Sequence, residues 1–200
     1  MTLTSTLIGY VIGLPMGIVL TVTDKDGIRP NAAVYKVLDV ISNLLRSIPF
    51  IILLIVLIPF TRFVVGRSYG STATIVPLTI AAAPYIARMV ESSLKEVDAG
   101  VIEAARSMGA SDFQIVTKVM LVEARTSLIV GATISLGTIL GYSAMAGTVG
   151  GGGLGDIAIR YGYTRWQTDI MVVTVVLLVI LFQIFQTIGM KIANRLDRRK

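Results

Sequence analysis

Two runs without a charged residue, IPFIILLIVLIPF at 48–60 and MVVTVVLLVILF at 171–182, constrain this chain more than any other feature. A helix that crosses a hydrocarbon core about 30 Å thick needs about 20 apolar residues. Five segments meet that demand: about 1–23, 44–64, 69–90, 126–147 and 168–190. The third is interrupted by Pro77 and Pro84. Prolines persist in membrane helices where neighbouring helices or Ser/Thr side chains satisfy the freed backbone groups, so this segment is expected inside the bundle. Residues 1–23 begin abruptly at Met1 and carry no charge. A secretory leader has a basic region ahead of a shorter apolar core, so this run reads as a span instead. Charged residues make up only 15% of the chain, against about a quarter in soluble domains. The expected fold is an all-α integral membrane protein, one domain over 1–200 with five transmembrane helices.

The Lys and Arg residues set the orientation. With the N-terminus outside, the inner segments hold fourteen of them and the outer segments four: Arg62, Arg67, Arg160 and Arg165. Basic residues concentrate on the cytoplasmic side, so the C-terminus and the loop at about 91–125 are expected there. The tail RLDRRK then reads as a topology anchor, and no nucleic-acid partner is expected. Tyr161, Tyr163 and Trp166 precede the last span, where an aromatic belt would lie.

The 91–125 loop has its own pattern. Val101, Ile102, Ala105 and Met108 recur at helical spacing and predict one apolar stripe. Gly109 follows, where a helix C-terminus favours a residue free to take positive φ. Ser111 and Gln114 have the spacing of a capping box. Ile115, Val116, Val119 and Met120 predict an apolar face on a second helix running into the fourth span. An amphipathic hairpin lying on the membrane would satisfy this pattern. A surface helix of that kind usually has a strongly basic polar face, whereas here the charges are mixed and Ala104, Ala105 and Gly109 are small. A docking surface for another protein fits better.

Glu103-Ala104-Ala105, three residues and then Gly109 resemble the EAA loop of ABC-importer permeases. The family pattern continues to a Leu-Pro pair; here Leu121-Val122 stands in that place, so Val122 departs from it. NLLRSIPFIILLIVLIPFTRFVVG, IVPLTIAAAPYIARMVE and GYSAMAGTVGGGGLGDIAIRYGY resemble the methionine-import permeases over nearly the whole chain. The resemblance implies a homodimer of five-helix subunits in the bacterial cytoplasmic membrane. It also implies two cytoplasmic ATP-binding subunits and an extracytoplasmic solute-binding lipoprotein that delivers methionine. Residues about 101–112 would form the ATPase-coupling contact, with Glu103 polar, Ala104 and Ala105 closely packed, Gly109 at the turn, and Met108 and Ser111 beside them. An importer for another small amino acid or related solute is the nearest alternative. A channel or scaffold without an energy source is a more distant one.

Catalysis is expected elsewhere. The chain has no Cys, no His and no phosphate-binding G-x-x-x-x-G-K-[ST] loop, so no catalytic residue, cofactor or metal is expected. Gly150, Gly152 and Gly155 fit G-x-G-x-x-G, but a dinucleotide fingerprint needs a βαβ unit. They read either as a flexible or re-entrant turn or as part of the outer mouth of the pathway. Gly9, Gly13 and Gly17 line one face of the first span and suggest close helix packing, first within the subunit and alternatively between subunits. Gly137 and Gly141 repeat the spacing ahead of the candidate translocation-pathway residues Tyr142, Ser143 and Met145; packing in the core is the alternative for Met145. Five helices are few to enclose a solute pathway, which favours a symmetric dimer.

Overall fold

The computed structural model describes residues 1–197. Arg198, Arg199 and Lys200, at the end of the basic tail, lie outside the described residues. Helix α1 spans Thr2–Thr23, α2 Ala32–Ser47, α3 Phe50–Val56, α4 Ile58–Val65 and α5 Ser71–Lys95. The loop that follows carries α6 (Ala99–Ser107), α7 (Asp112–Gln114), a π-helical turn over Ile115–Met120 and α8 (Leu121–Glu123). Helix α9 spans Arg125–Met145, α10 Gly153–Ile157 and α11 Thr168–Leu196. Among the described residues there is no strand.

Helix α5 is the centre of the bundle. Of its most apolar stretch 61% is buried, against 6% for α11, as the two internal prolines predicted. Pro77 and Pro84 are themselves buried. Helix α1 lies along α5 through its glycine face. A Cβ on Gly9 would come within 2.9 Å of the Ala82 side chain. One on Gly13 would meet the Ala83 carbonyl oxygen at 2.6 Å, and one on Gly17 the Ala87 carbonyl oxygen at 2.5 Å. The repeat therefore packs within the subunit. Without side chains on that face the backbones approach closely enough for dispersion contacts along the whole crossing.

Residues 44–64 differ from the expected single span. Helix α2 begins at Ala32, capped by the Asn31 side chain, which accepts from the Val34 N–H at 3.2 Å. It stops at Ser47, and the chain bends by 102° into α3. The cause is local: Pro49 forces Ile48 out of the helical region, to φ −80° and ψ 124°. Among the described residues four helices are thus long and apolar enough to cross a membrane, and five if the bent pair counts as one.

After α9 the chain makes a tight turn and folds back. Gly150 and Gly152 both take φ +75°, which only glycine adopts readily. The Gly150 carbonyl accepts from the Gly70 N–H at 2.9 Å, and that of Gly151 from Thr74 Oγ1 at 3.1 Å. A Cβ on Gly155 would sit 2.1 Å from the Ala144 carbonyl oxygen. The glycine-rich segment is a fold-back turn pinned to the start of α5, with helices and, among the described residues, no strand around it. Helix α11 closes the bundle by seating Phe182 over Gly137, where a Cβ would meet the ring at 2.6 Å. Its outward residues, including Val172, Val173, Val176 and Val179, stay exposed, as a lipid-facing helix requires.

The glycine seam yields a sharp comparison. Gly13→Leu should lower the thermal midpoint of the detergent-purified protein, since overpacking of this kind costs about 1–3 kcal/mol. Gly141→Ala, whose new Cβ meets nothing within 4 Å in the subunit, should leave it unchanged or raised.

Candidate functional site

The loop between α5 and α9 is built from two capped helical pieces. Asp98 caps α6, its carboxylate accepting from the Gly100 N–H at 2.8 Å. At the other end the Gly109 N–H donates to the Arg106 carbonyl at 3.0 Å and the Ala110 N–H to that of Ala105 at 3.1 Å. These two bonds are a Schellman closure, and it requires the φ of +79° that Gly109 adopts. Two residues on, the capping box forms in full. The Ser111 N–H donates to Gln114 Oε1 at 2.9 Å, and the Gln114 N–H to Ser111 Oγ at 3.4 Å. A cap of this type contributes about 1 kcal/mol. The turn is therefore fixed in shape from both sides.

The expected apolar stripe on α6 is divided. Ala105 is buried and Ile102 partly buried against the core, but Val101 is exposed and Met108 is 81% exposed. Met108 is the C-cap residue, so it points beyond the helix and not along its inner face. Ala104 and Glu103 are also exposed, and Ser111 lies at the surface of the same turn. Phe113, which sequence patterning did not single out, is 77% exposed beside them. On the inner side, Ile115 and Met120 are buried, with Val116 and Val119 packed partly against the core. The tip of the loop thus presents two large apolar side chains with small or polar neighbours, on a backbone that cannot easily deform. Val122 is half-exposed and lines a cavity of about 340 Å³ with Glu123, Arg125 and Leu196.

Behind the loop lies a network of charges. Lys95 bridges Asp24 at 2.6 Å and Glu91 at 2.8 Å, and Arg88 bridges Glu91 at 2.7 Å. Arg88 also pairs with Asp39 and donates to Asn43 Oδ1 at 3.0 Å. The Tyr35 hydroxyl donates to Glu91 Oε1 at 3.4 Å. Glu91 is 4% exposed and sits at the hub, so the network ties the end of α1, the length of α2 and the last turns of α5 together. Arg106 extends the attachment to α6 by donating to the Ile28 carbonyl at 3.1 Å. Asp24, Ile28, Lys95, Ile102 and Glu103 line a cavity of about 410 Å³ at this end. The hydrogen bond from Lys95 holds the Asp24 carboxyl below the usual aspartate range.

The candidate pathway residues do not share one environment. Tyr142 stacks on Phe50, with ring centroids 4.6 Å apart and planes 5° from parallel. Ser143 is buried in the subunit, whereas Met145, at the end of α9, is half-exposed and so is not a core residue of the single subunit.

A largely helical bundle with several membrane-capable helices agrees with the comparison to known proteins. The family model for binding-protein-dependent transport system inner membrane components matches residues 10–200. The chain belongs to this family. It is accordingly a multi-pass component of an inner membrane. The probable D-methionine transport system permease protein MetI of Vibrio cholerae is 50% identical over 192 residues, covering 96% of this chain and 85% of that protein. The D-methionine transport system permease protein MetI of Escherichia coli K12 is 56% identical over 147 residues, or 74% and 68% of the two chains. Among solved structures, an inward-facing form of the MetNI methionine ABC transporter is similar at TM-score 0.97 and 52% identity, covering 98% of this chain and 91% of that one.

For this family member, the charge network was the part least evident beforehand. Its signal is present as Arg88, Glu91 and Lys95, a three- and four-residue spacing that places all three on one helix face. The partners Asp24, Tyr35 and Asp39 come from other helices, and no local pattern reveals them. Removing the hub leaves two cations without their shared anion, so Glu91→Ala should destabilise the protein by about 3–5 kcal/mol. Asp24→Asn should have a smaller effect with a defined pH dependence. A lowered carboxyl pKa contributes stability that is complete above the ordinary aspartate range and lost as pH falls through the lowered value. The thermal midpoints of the native protein and Asp24→Asn should therefore differ at neutral pH and converge in strong acid.

Proposed function

We propose that the chain is the membrane-spanning permease subunit of an ATP-driven importer that carries methionine, D- or L-, into the cytoplasm. In this reading the N-terminus is outside and the end that holds the 91–125 loop is cytoplasmic, which the distribution of Lys and Arg supports. Two copies of the chain form the pathway. Two ATP-binding subunits dock on the paired loops, and a solute-binding lipoprotein delivers methionine from the other side. The observation that carries the reading is the rigid turn at Gly109 with Met108 and Phe113 exposed beside Ala104. Exposed apolar side chains on a fixed backbone, at the polar end of a membrane protein, suit a permanent protein contact. Methionine as solute is supported by the relatives named above, and ATP as energy source by the transporter whose subunit this chain resembles.

The mechanism is mechanical. Closure of the ATP-binding subunits pulls on the loop, and the capped turn transmits the displacement to α5 and α9 because neither side of it yields. Reversing a two-state equilibrium from 1:99 to 99:1 takes about 5.5 kcal/mol of differential binding, which ATP-driven closure can supply. Glu103, Ala104, Ala105, Met108, Gly109 and Ser111 form or shape the contact. Tyr142 and Met145, three residues apart on one face of α9, belong to the pathway side, with Ser143 packed inside the subunit next to them.

Uptake into proteoliposomes tests the proposal. Labelled methionine should accumulate only when the permease is reconstituted with its ATP-binding subunit, the binding protein and ATP. Flux through the chain alone would instead identify a channel. Stronger competition by another amino acid than by unlabelled methionine would move the assignment to that solute.

A further inference from the structure

Helix α5 fixes the depth of its side chains. Tyr85 lies about 21 Å from the Ser71 end and about 15 Å from the Lys95 end at 1.5 Å per residue, close to the middle of a bilayer core. At this depth the break between α2 and α3 places Arg46, whose guanidinium carbon stands 5.9 Å from the centre of the Tyr85 ring. Among the described residues no carboxylate pairs with Arg46, in contrast to Arg88, which bridges Asp39 and Glu91. Arg46 is also exposed in the single subunit. An unpaired guanidinium at mid-depth is not stable against hydrocarbon; such groups face a water-filled space or a partner charge. This side of α2 is therefore expected to face a water-filled space or a neighbouring subunit, not lipid.

Arg46 is part of a built cavity. With Phe50, Leu53, Ala81, Tyr85 and Tyr142 it lines a space of about 130 Å³, roughly ten times what one buried water needs. One wall is the stacked Phe50–Tyr142 pair, and Thr138 Oγ1 donates to the Tyr85 hydroxyl at 3.3 Å, fixing a second wall. The contents are specific: one guanidinium over the Tyr85 ring with no carboxylate partner, suited to two parallel hydrogen bonds with a carboxylate, and apolar and aromatic surface for an uncharged side chain.

We infer that this cavity is an intramembrane binding site for the transported amino acid, in which Arg46 binds the α-carboxylate and Phe50, Leu53 and Ala81 receive an apolar side chain. The inference rests on the proposed importer function and adds to it a place where the solute pauses within the bilayer.

Equilibrium binding of a mixture of labelled amino acids to the purified permease–ATPase complex, without the binding protein, tests this directly. The native complex should retain methionine, and methionine amide, which lacks the carboxylate, should compete at least about tenfold less well. Arg46→Gln should weaken methionine binding about tenfold or more and abolish the preference for methionine over its amide, and Arg46→Lys should fall between. Should Arg46→Gln not assemble, a photoactivatable methionine analogue bound to the native complex should label residues 46–53, Tyr85 or Tyr142. Native affinity in Arg46→Gln, labelling confined to other segments, or no amino acid bound at all would overturn the site. Retention of a different amino acid in place of methionine would overturn the solute assignment alone, and the Arg46 comparison would then be read on that amino acid.

Discussion

The close approach of α1 to α5 is the contact on which the rest of the structure depends. Helices in a bilayer gain little from the hydrophobic effect when they associate, so their packing rests on dispersion and on how near the backbones can come. Gly9, Gly13 and Gly17 leave no side chain on the facing surface, and α5 answers with Ala82, Ala83 and Ala87. This seam holds α5 in the bundle interior, where its two prolines are shielded. Its neighbours are placed relative to it: α2 through the charges at one end, the glycine turn through Gly70 and Thr74 at the other, and α9 along its side, on which α11 in turn packs.

The charge network complements the seam. The glycines fix the distance between α1 and α5 in the apolar region, and Asp24–Lys95 fixes it where the helices leave that region. Buried ion pairs add little net stability compared with apolar packing, but they penalise every arrangement that separates the partners. With Glu91 at the hub, α1, α2 and α5 move as a unit near the loop. In the proposed mechanism this network would be the rigid base of a lever, and the capped turn at Gly109 its tip.

Much of this was legible in the chain. The apolar runs gave four long helices directly, the glycine spacing gave close packing within the subunit though not the partner helix, and Gly109 with Ser111 and Gln114 gave the loop turn and its capping box. These features are local, and local sequence determines them. The second span was misread because thirteen uncharged residues outweighed the effect of Pro49 on Ile48, a steric restriction that hydropathy does not register. The stripe on α6 was overextended because periodicity continues through Met108, although the helix ends there. Phe113 and Arg46 were missed for a different reason. Each matters because of what it lacks, a covering neighbour in one case and a counter-charge in the other, and absence of a partner is a tertiary property.

The central claim is that the turn at Gly109 transmits the work of a docked ATPase to the bundle. The ratio of solute moved to ATP hydrolysed by the reconstituted transporter tests it most directly, with Gly109→Glu set against the native chain. A charged side chain at a φ of +79° both strains the turn and disrupts an apolar contact. The account predicts that the variant inserts and dimerises, while transport per ATP falls by about tenfold or more, within the usual range of coupling between sites, or the ATPase dissociates altogether. A native ratio of transport to hydrolysis in Gly109→Glu would contradict it.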